Sequence, residues 1–177
     1  MKFMLPIIML LAIAGGVRSE TDPETLLDVV LEINNETGEF STLIAAVVDL
    51  GLTGALDGED PLTVFAPGDA AFAKLGLDAD NIGDVPEKLL EEIILYHITG
   101  GKKLAADLLP SSSKRGWAWF FANRIKMLNG GTAFITNGRK GPSINRARIL
   151  KADVEADNGA IHVIDRVLLP IARFQRG

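Results

Sequence analysis

Two histidines, His97 in "LYHITG" and His162 in "AIHVIDRV", are the only imidazoles in a chain of 177 residues that has no cysteine. An imidazole can serve as a general base or ligate a metal. The missing cysteine excludes thiolate catalysis and zinc–thiolate sites, and two histidines are too few for a His-rich metal centre. Around His162 the spacing supplies carboxylates. With Asn158-Gly159 as a two-residue hairpin turn, Glu155 falls opposite His162 and Asp153 falls diagonal to it. Asp153, Glu155 and Asp157 then alternate along one strand and share a face. Such a stripe falls short of the roughly 6 to 8 oxygens of a calcium site.

A carboxylate partner favours a charged imidazole, but catalysis also needs a nucleophile or polarised water held by a third group. The spacing offers neither. Ser111 to Ser113 have no base near them in sequence, and G-x-S-x-G, H-E-x-x-H, P-loop and G-x-G-x-x-G patterns are absent. Paired-carboxylate hydrolysis stays open on residue types alone. His162, between Ile161 and Val163, reads as a structural histidine. His97 follows Ile93, Ile94 and Leu95 and reads as a buried ring bonded to backbone, because an unpaired buried imidazole is costly. A partner-facing Tyr96–His97 pair is the alternative.

Binding chemistry has better material. In "KRGWAWFFANR", Trp117 and Trp119 project to one side of an extended chain, flanked by Arg115 and Arg124. Aromatic faces with cations suit sugar rings, polyanions or protein hot spots, and they equally suit the covering of an open sheet edge. No acid occurs between Asp107 and Asp153, while Lys114, Arg115, Arg124, Lys126, Arg139, Lys140, Arg146, Arg148 and Lys151 do. Residues 20–108 hold 19 acidic and 4 basic residues; residues 109–177 hold 4 and 12. A strongly dipolar molecule is expected. Its basic face, formed by Lys126, Arg139, Lys140, Arg146, Arg148 and Lys151, is a candidate for polyanions. Nucleic acid is not expected, since the chain is acidic and lacks a recognition motif. Asn35-Glu36-Thr37 matches an N-glycosylation acceptor in a loop between helices.

The elements that must position these residues change character along the chain. "TDPETLLDVVLEIN" predicts a helix with Asp22 as N-cap and Pro23 at its first position. "STLIAAVVDLG" predicts a second, capped by Ser41 and stopped by Gly51. Leu62 to Ala66 is a short apolar strand; Pro67 and Gly68 end it, and Asp69 caps a helix carrying Phe72. "VPEKLLEEIILYHITG" is amphipathic. After Pro110 the period shifts to two, with "RIKML", "TAFIT", "PSIN", "ARILKADVEA" and "AIHVIDRVLL" separated by "NGG", "NGRKG" and "DNG" turns. Helices first and antiparallel strands later make the class α+β.

"MKFMLPIIMLLAIAGGVRSE" has the layout of a secretory signal peptide over residues 1–19, with cleavage expected after Ser19, or else after Ala14. Its twelve apolar positions, Phe3 to Ala14, are fewer than the ~20 of a membrane span, so no stable insertion is expected after cleavage. Residues 20–177 are then one domain, secreted to an extracellular or periplasmic space and held by packing without disulfides.

Three ordered stretches carry a resemblance. "TVFAPGDAAFAKL" (Thr63 to Leu75) and "NGAIHVIDRVLLP" (Asn158 to Pro170) look like the two signature blocks of the fasciclin-like, or FAS1, domain family. "LYHITGGKK" sits between them where that family has its Tyr-His motif, and the likeness covers about residues 26–170. It implies a wedge or sandwich of short, mostly antiparallel strands with helices at one side, and the two blocks as neighbouring central strands. It gives Phe65, Pro67, Asp69 and Phe72, with Asn158, Gly159, His162 and Asp165, a structural role. It also implies an extracellular adhesion or matrix-interaction module, not an enzyme, with no cofactor or metal. Its partner would be a cell-surface or matrix protein or an anionic glycan. The alternative is a secreted polysaccharide- or small-ligand-binding protein that uses Trp117–Arg124.

Overall fold

The computed structural model describes residues 24–108, 124–138 and 141–170. The leading apolar segment, Asp22 and Pro23, the Lys114–Ala122 stretch, Arg139 and Lys140 lie outside these residues. Among the described residues no helix is long and apolar enough to cross a membrane.

Helix α1 (Leu26–Thr37) starts later than its proline suggests. Thr25 is the N-cap, and Thr25 with Asp28 forms a capping box that satisfies backbone donors at both positions. It ends at Gly38, whose φ of +68° is the left-handed conformation that favours glycine. The glycosylation triplet is therefore in the last turn of α1 and not in a loop; Thr37 Oγ1 donates to Ile33 O at 2.8 Å. Helix α2 (Ser41–Asp49) follows, then the single turn α3 (Thr53–Leu56).

Strand β1 (Leu62–Pro67) is buried along its whole length and leads into α4 (Asp69–Ala73). Asp69 does not cap α4, where the N-cap is Gly68. Its carboxylate reaches back to α2 and accepts from the N–H groups of Ser41 and Thr42 at 3.2 and 2.8 Å. Ser41 is itself inside α2 and is not its side-chain cap. A negative group at that helix start satisfies two orphan donors and complements the dipole. After a 3-10 turn at Ile82–Asp84 comes α5 (Glu87–Leu95), with β2 (Ile98–Gly100) immediately behind it and the turn α6 (Ala105–Leu108) beyond.

The remaining strands are β3 (Arg124–Lys126), β4 (Thr132–Gly138), β5 (Gly141–Ile144), β6 (Ala147–Ala156) and β7 (Gly159–Ile164). The sheet order is β2-β1-β7-β6-β5-β4-β3. All neighbours are antiparallel except β1 and β7, which run parallel from Leu62↔Gly159 to Pro67↔Ile164. The two signature blocks are thus adjacent inner strands. The sheet curls until β3 approaches β2: Leu128 N–H donates to Ile98 O at 2.8 Å, and Thr99 Oγ1 donates to Lys126 O at 2.9 Å.

This nearly closed sheet buries apolar groups on both sides. Outside it, α1, α2 and α5 pack Leu26, Val30, Leu43, Val47, Leu90 and Ile94 on Val64 and Ile161. Inside it, Phe65, Met127, Ile135, Ile144, Ile164 and Leu168 fill the interior. Strands β1 and β7 lie between the two clusters, which is why both are buried at every position and mainly apolar, without alternation.

Candidate functional site

The β1–β7 seam holds Phe65, Pro67, Gly159 and His162, with Asn158 and Asp165 at its two ends. Phe65 pairs with His162 in register, and the two rings stack with centroids 5.4 Å apart. His162 has both nitrogens engaged. The N–H of Asp153 donates to Nδ1 at 3.3 Å, so Nε2 carries the proton and donates to Lys103 O at 2.9 Å. Burial pushes its pKa down, against the opposing pull of the Lys103 carbonyl and the Asp153 charge. Glu155 is not its partner. The turn consists of Asp157-Asn158, one residue earlier than Asn158-Gly159, so Glu155 pairs with Ala160 and Val154 with Ile161. A turn one residue earlier shifts the pairing by two residues, which keeps the faces but puts Glu155 opposite Ala160 and not His162.

The acidic stripe is broken by a bulge between Lys151 and Val154. Asp153 adopts φ +58° and accepts from Ala105 N–H at 2.6 Å. Glu155 pairs with Lys102 at 2.9 Å, and Asp157 accepts from Glu24 N–H at 3.0 Å. Among the described residues no three His, Asp or Glu side chains are placed to hold a metal ion.

His97 is the mirror case. Leu168 N–H donates to Nε2 at 2.8 Å, so Nδ1 carries the proton and donates to Ile93 O at 2.7 Å. Complete burial outweighs that carbonyl bond and lowers its pKa from 6.5 to about 4. Tyr96 is also interior, with its ring across Gly131. Its hydroxyl donates to Thr132 O at 2.7 Å and accepts from Asn145 Nδ2 at 2.8 Å. Burial raises its pKa, against the Asn145 bond. A partner-facing pair needs exposed side chains, and this fold buries both.

Asn158 and Gly159 fix the start of the seam. Asn158 Oδ1 accepts from Leu26 N–H at 2.8 Å, while Nδ2 donates to Leu56 O at 2.9 Å and Gly58 O at 2.6 Å. One amide ties α1, α3 and the approach to β1 together. A Cβ at Gly159 would sit 2.1 Å from Leu62 O, so only glycine allows the strands to approach there. At the far end Asp165 accepts from Arg148 N–H at 2.7 Å and Arg148 Nε at 2.9 Å. Desolvation raises the Asp165 pKa, but the Arg148 bonds with the Arg148 and Lys74 charges outweigh it and hold the carboxyl below its ordinary value. Pro67 and Phe72 are buried.

The solvent-facing candidates gather elsewhere. Arg124 pairs with Phe134, and Thr136 with Ser143, which pairs with Arg148. Arg124, Lys126, Phe134, Thr136, Ser143 and Arg148 therefore share the outer face of β3–β6. The Arg124 guanidinium lies 5.2 Å from the Phe134 ring centroid. Arg146, in the β5–β6 turn, and Lys151, at the bulge, are exposed. Arg115, Trp117 and Trp119 lie outside the described residues, as do Arg139 and Lys140. Asn35 is exposed.

The profile of the Fasciclin domain matches residues 38–170. This chain belongs to the fasciclin family. It is 36% identical over 142 residues to uncharacterized protein sll1735 of Synechocystis, covering 79% of this chain and 96% of that one. It is 30% identical over 148 residues to transforming growth factor-beta-induced protein ig-h3 of Sus scrofa, covering 82% of this chain but 20% of that longer one. A solved FAS1 domain pair from the insect cell adhesion molecule Fasciclin I aligns with a TM-score of 0.47 at 17% identity, covering 82% of this chain and 45% of that one.

One residue that the sequence analysis did not single out is Lys103. Its N–H donates to Thr63 Oγ1 at 2.8 Å, its carbonyl receives His162, and its Nζ donates to Gly100 O. The double glycine ahead of "KK" was the available signal, because Gly101 adopts φ +86° and turns the chain back onto β1. Thr63 Oγ1 also donates to Gly101 O at 2.6 Å. A second feature absent from the sequence analysis is an apolar cavity of about 20 Å³ bordered by Leu27, Val47, Val64, Ile94 and His97. It lies far below the ~300 Å³ of an ordinary ligand pocket.

Proposed function

We propose that this fasciclin-family chain is an exported adhesion or matrix-interaction module that acts by binding and performs no bond chemistry. The observation that carries the reading is the state of the two histidines. Each donates through one nitrogen and accepts through the other, inside the fold, so neither has a lone pair or a proton to offer a substrate. The cations, by contrast, stand on the outer face of β3–β6 and around its edge, where a partner can reach them. Family membership supports the reading, with an extracellular or periplasmic location. A single module of ordinary interface size holds a partner weakly, and many copies on one surface supply the avidity.

The test is aggregation of beads coated with the purified chain, alone and against native cell-surface material. Clustering that depends on coat density is expected. Folded protein that leaves beads dispersed and retains nothing from a cell surface overturns the reading. So does turnover in a hydrolase substrate panel that is abolished by His162→Ala in a still-folded protein.

A further inference from the structure

The junction of β2 and β3 carries an open groove of about 550 Å³. Lys103, Arg124 and Lys126 line it, from the loop after β2 and from β3 itself; Gly100 and Gly130 leave it shallow, and Leu128 stands at its side. No carboxylate among the described residues lines it. Lys103 Nζ is bonded to a carbonyl, which leaves its charge in place, and the Arg124 guanidinium lies over the Phe134 ring.

Three features of this groove narrow the ligand. Its cations come from separate segments and are spread along an open surface, which suits repeated negative charges better than one small anion. Among the described residues it has no aromatic anchor of the sort that dominates protein hot spots: Ile125 and Met127 are buried in the interior cluster, and Leu128, 46% exposed, is the main aliphatic contribution. The surface of residues 24–108 repels a polyanion, since the acidic residues concentrate there, while Arg146, Arg148 and Lys151 extend the basic side of the sheet beyond the groove. Field and shape therefore direct one class of ligand to this side of the sheet.

We propose that the β2–β3 groove binds an acidic polysaccharide, sulfated or carboxylated, through Lys103, Arg124 and Lys126. The proposal rests on the reading of the chain as an exported binding module and names the partner class of that module.

The experiment uses the full chain and three immobilised probes: dextran sulfate, neutral dextran and poly-glutamate. Dextran sulfate is expected to retain the protein at low salt and release it as salt rises, and neutral dextran to retain none. The double variant Lys103→Gln/Lys126→Gln is expected to bind dextran sulfate about tenfold more weakly, with each exposed charge contributing a few-fold. Lys88→Gln, on the exposed side of α5, is expected to bind as the parent does. An unchanged unfolding midpoint of the double variant excludes misfolding. If that midpoint falls, the single Lys126→Gln variant is read instead, with about a threefold loss expected.

Equal binding by parent and variant, salt-independent binding, or no binding to dextran sulfate overturns the proposal. Tighter binding to poly-glutamate than to dextran sulfate overturns it in favour of an acidic protein segment. Bead aggregation is run beside it. Aggregation that persists without dextran sulfate binding removes the groove and leaves the module; loss of both removes both.

Discussion

The sheet has two junctions where distant stretches of chain meet, and they are built differently. At β1–β7 six residue pairs align in parallel register, both strands are buried from end to end, and three side chains in or beside β7 lock the seam to the rest of the fold. Asn158 ties it to α1 and α3, His162 ties it to the β6 bulge and the Lys103 loop, and Asp165 closes it on Arg148. At β2–β3 the strands exchange one backbone bond and one hydroxyl bond beside an open groove. Polar groups at the first junction are consumed by the fold. Those at the second include the exposed ammonium of Lys126. The first junction sets the shape, and the second is where contact with something else costs the fold least.

The difference predicts a steep ranking of damage. Gly159→Ala is the most severe change, because the new Cβ would stand 2.1 Å from Leu62 O and 2.8 Å from Leu26 Cδ1. A backbone atom cannot move aside as the end of a side chain can, so a loss of more than about 3 kcal/mol is expected. Urea unfolding at neutral pH measures it. A loss under about 1 kcal/mol would mean that the seam yields, and the contrast between the junctions would fail.

Acid attacks the first junction through its histidines. Both rings are held neutral, so the unfolded chain takes up their protons at higher pH than the folded chain does. The stability contribution of His97 is complete above its ordinary value of 6.5 and falls as pH drops from there to about 4. A difference of that size corresponds to about 3 kcal/mol for a fully buried ring. His162 acts in the same direction. Thermal unfolding scanned from pH 7.5 to 4 is expected to show the fall, and His97→Gln to remove most of it.

Asn158→Ala comes next. It strips partners from the Leu26 N–H and from the carbonyls of Leu56 and Gly58, all partly buried, for an expected loss of about 2 kcal/mol. Asn158→Asp is informative beside it, since a carboxylate keeps the Leu26 bond and loses the two donations. An intermediate loss is expected, and denaturant midpoints order the three proteins.

Both central strands were legible in the sequence, because burial on two sides leaves an apolar run that no surface element matches. So were the turns, through "NGG" and "DNG", and the interior role of both histidines, through their apolar neighbours. The errors have a common physical origin. Asp69 is as good a cap for α2 as for α4, and only the tertiary fold decides which helix start lies beside it. Asn158-Gly159 is the stronger local turn signal, but the close approach of Leu62, far off in sequence, requires glycine in the strand and moves the turn to Asp157-Asn158. Lys103 reaches the β2–β3 groove because the sheet curls round, and curling leaves no mark on local periodicity.

The smallest effect is expected at the second junction, and it is the sharpest check on the comparison. Thr99→Val removes the hydroxyl bond to Lys126 O but keeps the shape of a β-branched side chain in β2. Thr99 is buried, so the lost bond matters, yet the Lys126 carbonyl lies beside the open groove and can turn to water. The expected loss is under about 1 kcal/mol, well below that of Asn158→Ala. Amide exchange at Leu128, whose N–H makes the one backbone bond across this junction, should speed up more than exchange at Leu62 or Phe65. If Thr99→Val instead costs as much as Asn158→Ala, β2–β3 is a second structural lock. The groove beside it would then be a by-product of closing the sheet, and its cations would have to be judged without that separation between shape and contact.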